Sequence, residues 1–143
     1  MPFGGDYWII DFALSNCVNS GLYDVAIIAQ YNPRSLVRHI GIGKSWNLDR
    51  LNGGLALLQP YISKGKAEWY KDTADAVYQN LPYVEEKNVD EVLVLAGDHI
   101  YIMNYNDMIE FHRRRSADIT VGVIEVPPES TQRFGILSLN HRE

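Results

Sequence analysis

Val92 to Tyr101 reads VLVLAGDHIY: five apolar residues that stop at Gly97 and Asp98. Val92 to Ala96 shows no alternation of polar and apolar side chains, which predicts a strand covered on both faces, as in the parallel sheets of α/β proteins. In such sheets ligands collect beyond the carboxyl ends of the strands. Gly97 lets backbone or ligand come close, and Asp98 offers the oxygen ligands that a hard cation such as Mg²⁺ accepts. The plainer account of one carboxylate is a turn or helix cap, and spacing alone favours that account.

The stretches around this run alternate in the same α/β sense. Ile9 to Asn19 carries Ile9, Ile10, Phe12, Ala13, Leu14, Cys17 and Val18 on one broad helical face, with Gly21 as a stop. Asp24 to Gln30 (DVAIIAQ) is expected as a buried strand ending at Gln30, followed by a helix from Pro33 to His39 or Ile40. Gly41 to Lys66 reads as a long loop of the kind that is functional or mobile, interrupted by a strand candidate at LALLQPY. Thr73 is expected to cap a helix over ADAVYQNL with Asp75 in its first turn, and Pro82 to kink or end it, with a polar segment up to Asp90. A helix from about Asn106 to Ser116 follows, its basic residues at the end that the helix dipole favours. Ile119 to Val126 and Phe134 to Leu139 are expected as further strands, with a helical turn over Glu129 to Arg133 between them.

Composition bounds the function. The chain has 143 residues, enough for one domain, and 18 acidic against 13 basic side chains give a net charge of -5. That balance argues against a nucleic-acid backbone as the main partner, so any phosphate site must be local. The single cysteine, Cys17, excludes an internal disulfide framework and fits a reducing cytosol. No run approaches the length of a membrane span, and MPFGGDYW lacks the features of a signal peptide, so a cytoplasmic location is expected.

Five segments taken in order, PFGGDYWIIDFALSNCVNSG, AQYNPRSLVRHIGIG, WYKDTADAVYQN, LVLAGDHIY and ADITVGVIEVPPESTQRFG, resemble the catalytic domain of bacterial glucose-1-phosphate adenylyltransferases, also called ADP-glucose pyrophosphorylases. The resemblance implies a Rossmann-like nucleotidyltransferase fold of the nucleotide-diphospho-sugar transferase type, with a mostly parallel sheet flanked by helices. It implies that glucose 1-phosphate attacks the α-phosphorus of ATP, releasing pyrophosphate and giving ADP-glucose for glycogen synthesis. Metal ions and cations would stabilise the charge spread over the transferred group. On this resemblance Asp98 holds Mg²⁺, while Gln30, Trp69, Tyr70, Thr73, Ala74 and Gly97 lie near the nucleotide. It also implies a homotetramer for the intact enzyme.

Each assignment has an ordinary counterpart. Without the resemblance, Trp69 and Tyr70 are packing residues, and Gln30 pairs with nearby backbone. His99 reads as hydrogen-bonded structure, and Arg113, Arg114 and Arg115 as a solvated helix end whose neighbours point in different directions. Arg38 and His39 facing a regulatory phosphate is a minor alternative.

The departures from the pattern are specific. Asp6 and Trp8 stand where Lys and Arg are usual, Asp72 where Gly is usual, and Ile102 and Asn104 where Lys and Asp are usual. The family's GGxGxRL loop and RAKPA segment precede PFGG, and its FxEKP segment, second metal-binding Asp and β-helix domain come later. Residues 1–143 are therefore expected to form a catalytic domain incomplete at both ends, inactive by itself and prone to self-association through an unpaired sheet edge. Two alternatives stay open: a non-catalytic subunit pairing with an active paralogue, and a sugar-1-phosphate nucleotidyltransferase using another nucleotide.

Overall fold

The computed structural model describes residues 1–30, 33–60, 62–63, 66–67, 69–133 and 135–137. The chain divides into two compact units, Met1–Asn106 and Asp107–Glu143.

In the first unit, β1 (Pro2–Phe3) and β2 (Tyr7–Trp8) form a short antiparallel ladder that leads into helix α1 (Ile9–Asn19). Trp8 is extended at the helix start, and its N–H donates to Asp11 Oδ2 at 2.8 Å. An acid in the first turn thus satisfies a backbone donor and complements the dipole. The helix ends in a Schellman arrangement: Gly21 takes φ +76°, Gly21 N–H donates to Val18 O and Leu22 N–H to Cys17 O. Only a residue without Cβ enters that conformation freely, so Gly21 stops the helix as its position predicts.

Strand β3 (Asp24–Ile28) pairs in parallel with β4 (Gly54–Leu58), and helix α2 (Pro33–Ile40) and a 3₁₀ turn at Lys44–Trp46 lie in the crossover. Gly54 is required at the mouth of β4. Its φ is +98°, and a Cβ there would stand 2.9 Å from Leu48 O. The core gathers in this unit: Leu14, Ile40 and Leu48 are buried, with Ile10, Val18, Val25, Ile27, Leu36 and Leu55 packed against them. One side of α1, one side of α2 and alternate residues of β3 therefore close on the same apolar centre.

Strands β5 (Ile62–Ser63) and β6 (Lys66–Ala67) pair antiparallel ahead of helix α3 (Thr73–Gln79). The N-cap is Asp72 rather than Thr73: its Oδ1 accepts from Asp75 N–H at 2.9 Å. A carboxylate reaches the free donors of the first turn better than the hydroxyl one residue further in. Asp75 is in the first turn, as expected. Pro82 does separate two helices, but the polar segment expected after it is helix α4 (Leu81–Lys87). Pro82 falls in the first turn of α4, where its missing N–H costs nothing. Asn80 serves both helices, as C-cap of α3 and N-cap of α4.

The opening run is where expectation and structure part. Val92 to Ala96 joins no ladder among the described residues, and Val92 and Val94 are 55% and 59% exposed. Leu93 and Leu95 are half-buried, so the run is covered on one face only. An unbroken apolar sequence reports what a segment is suited to pack against, whereas two-sided burial needs an element packed on each face and a ladder needs a neighbour on an edge. The strand expected over Asp24–Gln30 stops at Ile28, although Ala29 N–H still donates to Leu58 O at 3.0 Å. The LALLQPY strand likewise ends at Leu58, and its Tyr61 lies outside the described residues.

The second unit contains most of helix α5 (Tyr105–Arg115) and a 3₁₀ segment at Pro128–Arg133, close to the helix and turn expected there. His112 Nδ1 lies 2.8 Å from Thr120 Oγ1 and ties the end of α5 to the following segment. Ile119 to Val126 forms no ladder among the described residues, and Ile119, Val121, Val123 and Ile124 are exposed, for the same want of a paired neighbour. Residues 135–137 form none either, and the rest of the Phe134 to Leu139 expectation lies outside the described residues.

Candidate nucleotide and metal site

Asp98 occupies a turn with Gly97 and is exposed. The turn sits beside the first turn of α1, since a Cβ on Gly97 would lie 3.3 Å from Ile10 Cδ1. The close approach that Gly97 permits is thus to a helix side chain. Among the described residues Asp98 has no ion-pair partner, and no group of three or more His, Cys, Asp and Glu side chains could hold a metal. A cation at Asp98 would have one protein carboxylate and would fill its remaining positions with water and ligand oxygens. That fits Mg²⁺, which dehydrates reluctantly and is commonly held by one or two carboxylates plus phosphates.

Gln30 is half-buried and stands two residues past the carboxyl end of β3, not at the strand end where the sequence reading put it. Trp69 is 55% exposed. With Lys71, Asp75, Tyr78 and Gln79 it lines a cavity of about 400 Å³ along α3. Tyr70 is buried, and its hydroxyl accepts from Asn80 Nδ2 at 3.0 Å. Thr73 and Ala74 are exposed in the first turn of α3.

Of the residues named from the sequence, Trp69 lines that cavity; Tyr70 is tied to Asn80 at the far end of α3, and Gln30, Thr73, Ala74, Gly97 and Asp98 are not among the described residues lining it. The sequence reading missed Lys71, Tyr78 and Gln79. Their signal was positional: Lys71 lies two residues from Trp69 in sequence, and Gln79 follows Asp75 by one helical turn, its Nε2 donating to Asp75 Oδ2 at 2.8 Å. Lys71 N–H donates to the same oxygen at 2.8 Å, so the Asp75 carboxylate is held by two donors.

A larger cavity, about 490 Å³, is lined by Asp6, Tyr7, Asp11, Phe12, Ser15, His39, Ser45 and Trp46. Two carboxylates and no Lys or Arg among these residues make it the wrong surface for a triphosphate. The cavity at Trp69, which has a lysine and an exposed indole in its lining, suits a nucleotide better.

A parallel β3–β4 ladder with helices in its crossover and around it defines an α/β domain. The description "Nucleotidyl transferase" matches residues 1–143, and the chain belongs to that family. It is similar to the glucose-1-phosphate adenylyltransferase of Thermotoga neapolitana, with 55% identity over 137 residues, 96% of this chain and 32% of that protein. It is also similar to the glucose-1-phosphate adenylyltransferases of Clostridium kluyveri (54% identity, 96% of this chain, 36% of that protein) and Geobacillus stearothermophilus (54%, 98% and 36%). The chain thus spans about a third of the length of the curated relatives it matches. Among the described residues no helix is long and apolar enough to cross a membrane.

Proposed function

We propose that this chain contributes to adenylyl transfer from ATP to glucose 1-phosphate. A phosphate oxygen of the sugar attacks the α-phosphorus, the bond to the bridging oxygen breaks, and pyrophosphate leaves with its electrons. The observation that carries this is 55% identity across 96% of the chain to a protein of that name. The geometry supports it through the exposed Asp98 carboxylate and the Trp69–Lys71 cavity.

In this reading Asp98 holds Mg²⁺, which when bound neutralises charge on the phosphate oxygens. Trp69 offers a face to the adenine, and Gln30, able to donate and accept at once, suits the base edge. Tyr70 is held by Asn80 next to Trp69 in the chain, and Thr73 and Ala74, exposed in the first turn of α3, would face the nucleotide, with Gly97 near it beside Asp98. A cytoplasmic location, a place in glycogen synthesis and a homotetrameric assembly belong to the same proposal.

Binding of ATP, dTTP and GTP with Mg²⁺, followed by tryptophan fluorescence, tests it. ATP is expected to bind tightest, with the metal requirement lost in Asp98→Asn. Equal binding of the three nucleotides, or a metal requirement untouched by that variant, would overturn it. Asp72, whose carboxylate stands at the start of α3, favours the alternative of a non-catalytic subunit. Pyrophosphate release that disappears in Asp98→Ala would exclude that alternative.

A further inference from the structure

Two buried polar side chains at the C-terminal end of α1 bond a segment far away in sequence. Asn16, in the last turns of α1, and Ser20, its C-cap, are each 5% exposed. Asn16 Nδ2 donates to Tyr101 O at 2.9 Å, and its Oδ1 accepts from Met103 N–H at 3.5 Å. Ser20 Oγ accepts from Tyr105 N–H at 2.9 Å. Tyr105 is fully buried, and its hydroxyl lies 2.7 Å from that of Tyr101. All these bonds fall on the backbone or side chains immediately after Asp98. With Gly97 against Ile10 at the other end, residues 97–105 run alongside α1 in the helix's own direction, touching it at Ile10, Asn16 and Ser20.

We propose that Asn16 and Ser20 are positioning residues for Asp98, fixing how far along α1 its carboxylate stands; the proposal rests on the assignment of Asp98 to the metal. An exposed aspartate in a two-residue turn has little to hold it. Val92 to Ala96 supplies no ladder on the upstream side, so the downstream clamp to α1 sets the carboxylate's place. Both side chains use the chemistry the job needs. An amide donates and accepts together, bridging the carbonyl of Tyr101 and the N–H of Met103, and a hydroxyl takes the one N–H at the start of α5.

The full chain titrated with Mn²⁺ and followed by electron paramagnetic resonance tests this, alongside thermal unfolding of each variant. Asn16→Ala and Ser20→Ala are expected to weaken Mn²⁺ binding, Asn16→Ala by about tenfold, the scale seen when groups supporting a metal ligand are removed. Ser20→Thr, which keeps the hydroxyl, is expected to restore binding. Should Asn16→Ala fail to fold, Ser20→Ala removes a single hydrogen bond and reads the same quantity. Alanine variants that unfold at lower temperature yet bind Mn²⁺ as the parent does would assign these residues to stability alone and overturn the proposal. Asp98→Asn separates the two claims: if it binds Mn²⁺ like the parent, the metal assignment is wrong and the proposal falls with it; if it loses binding while Asn16→Ala and Ser20→Ala do not, only the positioning role is wrong.

Discussion

His39 Nε2 lies 2.6 Å from Asp11 Oδ1, and the same imidazole lies flat on Trp8, with ring centroids 4.5 Å apart and 13° between the planes. Asp11 Oδ2 takes the N–H of Trp8 at 2.8 Å, so one largely buried carboxylate joins the N-terminal hairpin, the start of α1 and the end of α2. Replacing Asp11 by Ala removes a helix-start bond and the partner of His39 together. The expected cost is about 2 to 4 kcal/mol in urea unfolding. His39→Ala, which leaves the helix-start bond in place, should cost less.

Tyr105 carries a pH dependence. Burial first, then the hydrogen bond with Tyr101, holds its phenol well above the ordinary tyrosine range. The folded state therefore grips this proton more tightly than the unfolded chain does. Its contribution is complete below the unfolded pKa of about 10 and is lost as pH rises beyond that towards the folded value. Absorbance titration at alkaline pH should show one tyrosine ionising only as the protein unfolds, and Tyr105→Phe should remove that component and flatten the decline of Tm.

Cys17 is buried on the core side of α1, and desolvation raises its thiol pKa. Alkylation needs the thiolate, so labelling of the native chain near pH 8 should be at least tenfold slower than labelling in urea. Equal rates would place Cys17 in contact with solvent.

Asp72 caps α3 with a carboxylate, the charge least suited to the triphosphate that the proposed function would bring to this helix. Asp72→Gly should cost only a few tenths of a kcal/mol in stability, since Gly is itself an acceptable N-cap, whereas Asp72→Ala should cost about 1 kcal/mol. Removing the carboxylate should tighten ATP binding severalfold, on the order of 1 kcal/mol of relieved repulsion. Fluorescence titration of both variants checks the two effects separately.

Core and surface apolar residues should behave oppositely. Leu14, 2% exposed within the Leu14–Ile40–Leu48 cluster, should lose about 2 to 5 kcal/mol on replacement by Ala. Val94→Thr, at a 59% exposed position, should change stability by less than about 0.5 kcal/mol.

The helices were legible because their determinants are local. Gly21 ends α1, Pro33 starts α2 and Pro82 divides α3 from α4, each through its own backbone preferences. The runs at Val92 and Ile119 were misjudged because an apolar sequence states a capacity for burial while pairing is a property of the neighbours. In the candidate site, Trp69 just ahead of α3 followed from motif and order, whereas Gln30 lies beyond the end of β3 and is not among the described residues lining the cavity. Lys71 and Gln79 did not follow from either, because their place depends on how the Asp75 carboxylate gathers them. Asn16 and Ser20 were hidden for a related reason: polar residues on the flank of an apolar helix look like surface until the segment they hold, far away in sequence, is known.

The one-sided cover of Val92 to Ala96 has a counterpart in proton exchange. Amides of β3 and β4 are locked in a five-residue parallel ladder and should exchange with deuterium only through larger openings. Those of residues 92–96 have no ladder partner among the described residues and should exchange early, while the amide of Tyr105, bonded to buried Ser20, should exchange late. Asp98 then stands at the boundary between a fast-exchanging stem and a slow-exchanging anchor, so whatever gathers at its carboxylate should be read out as new protection upstream of it.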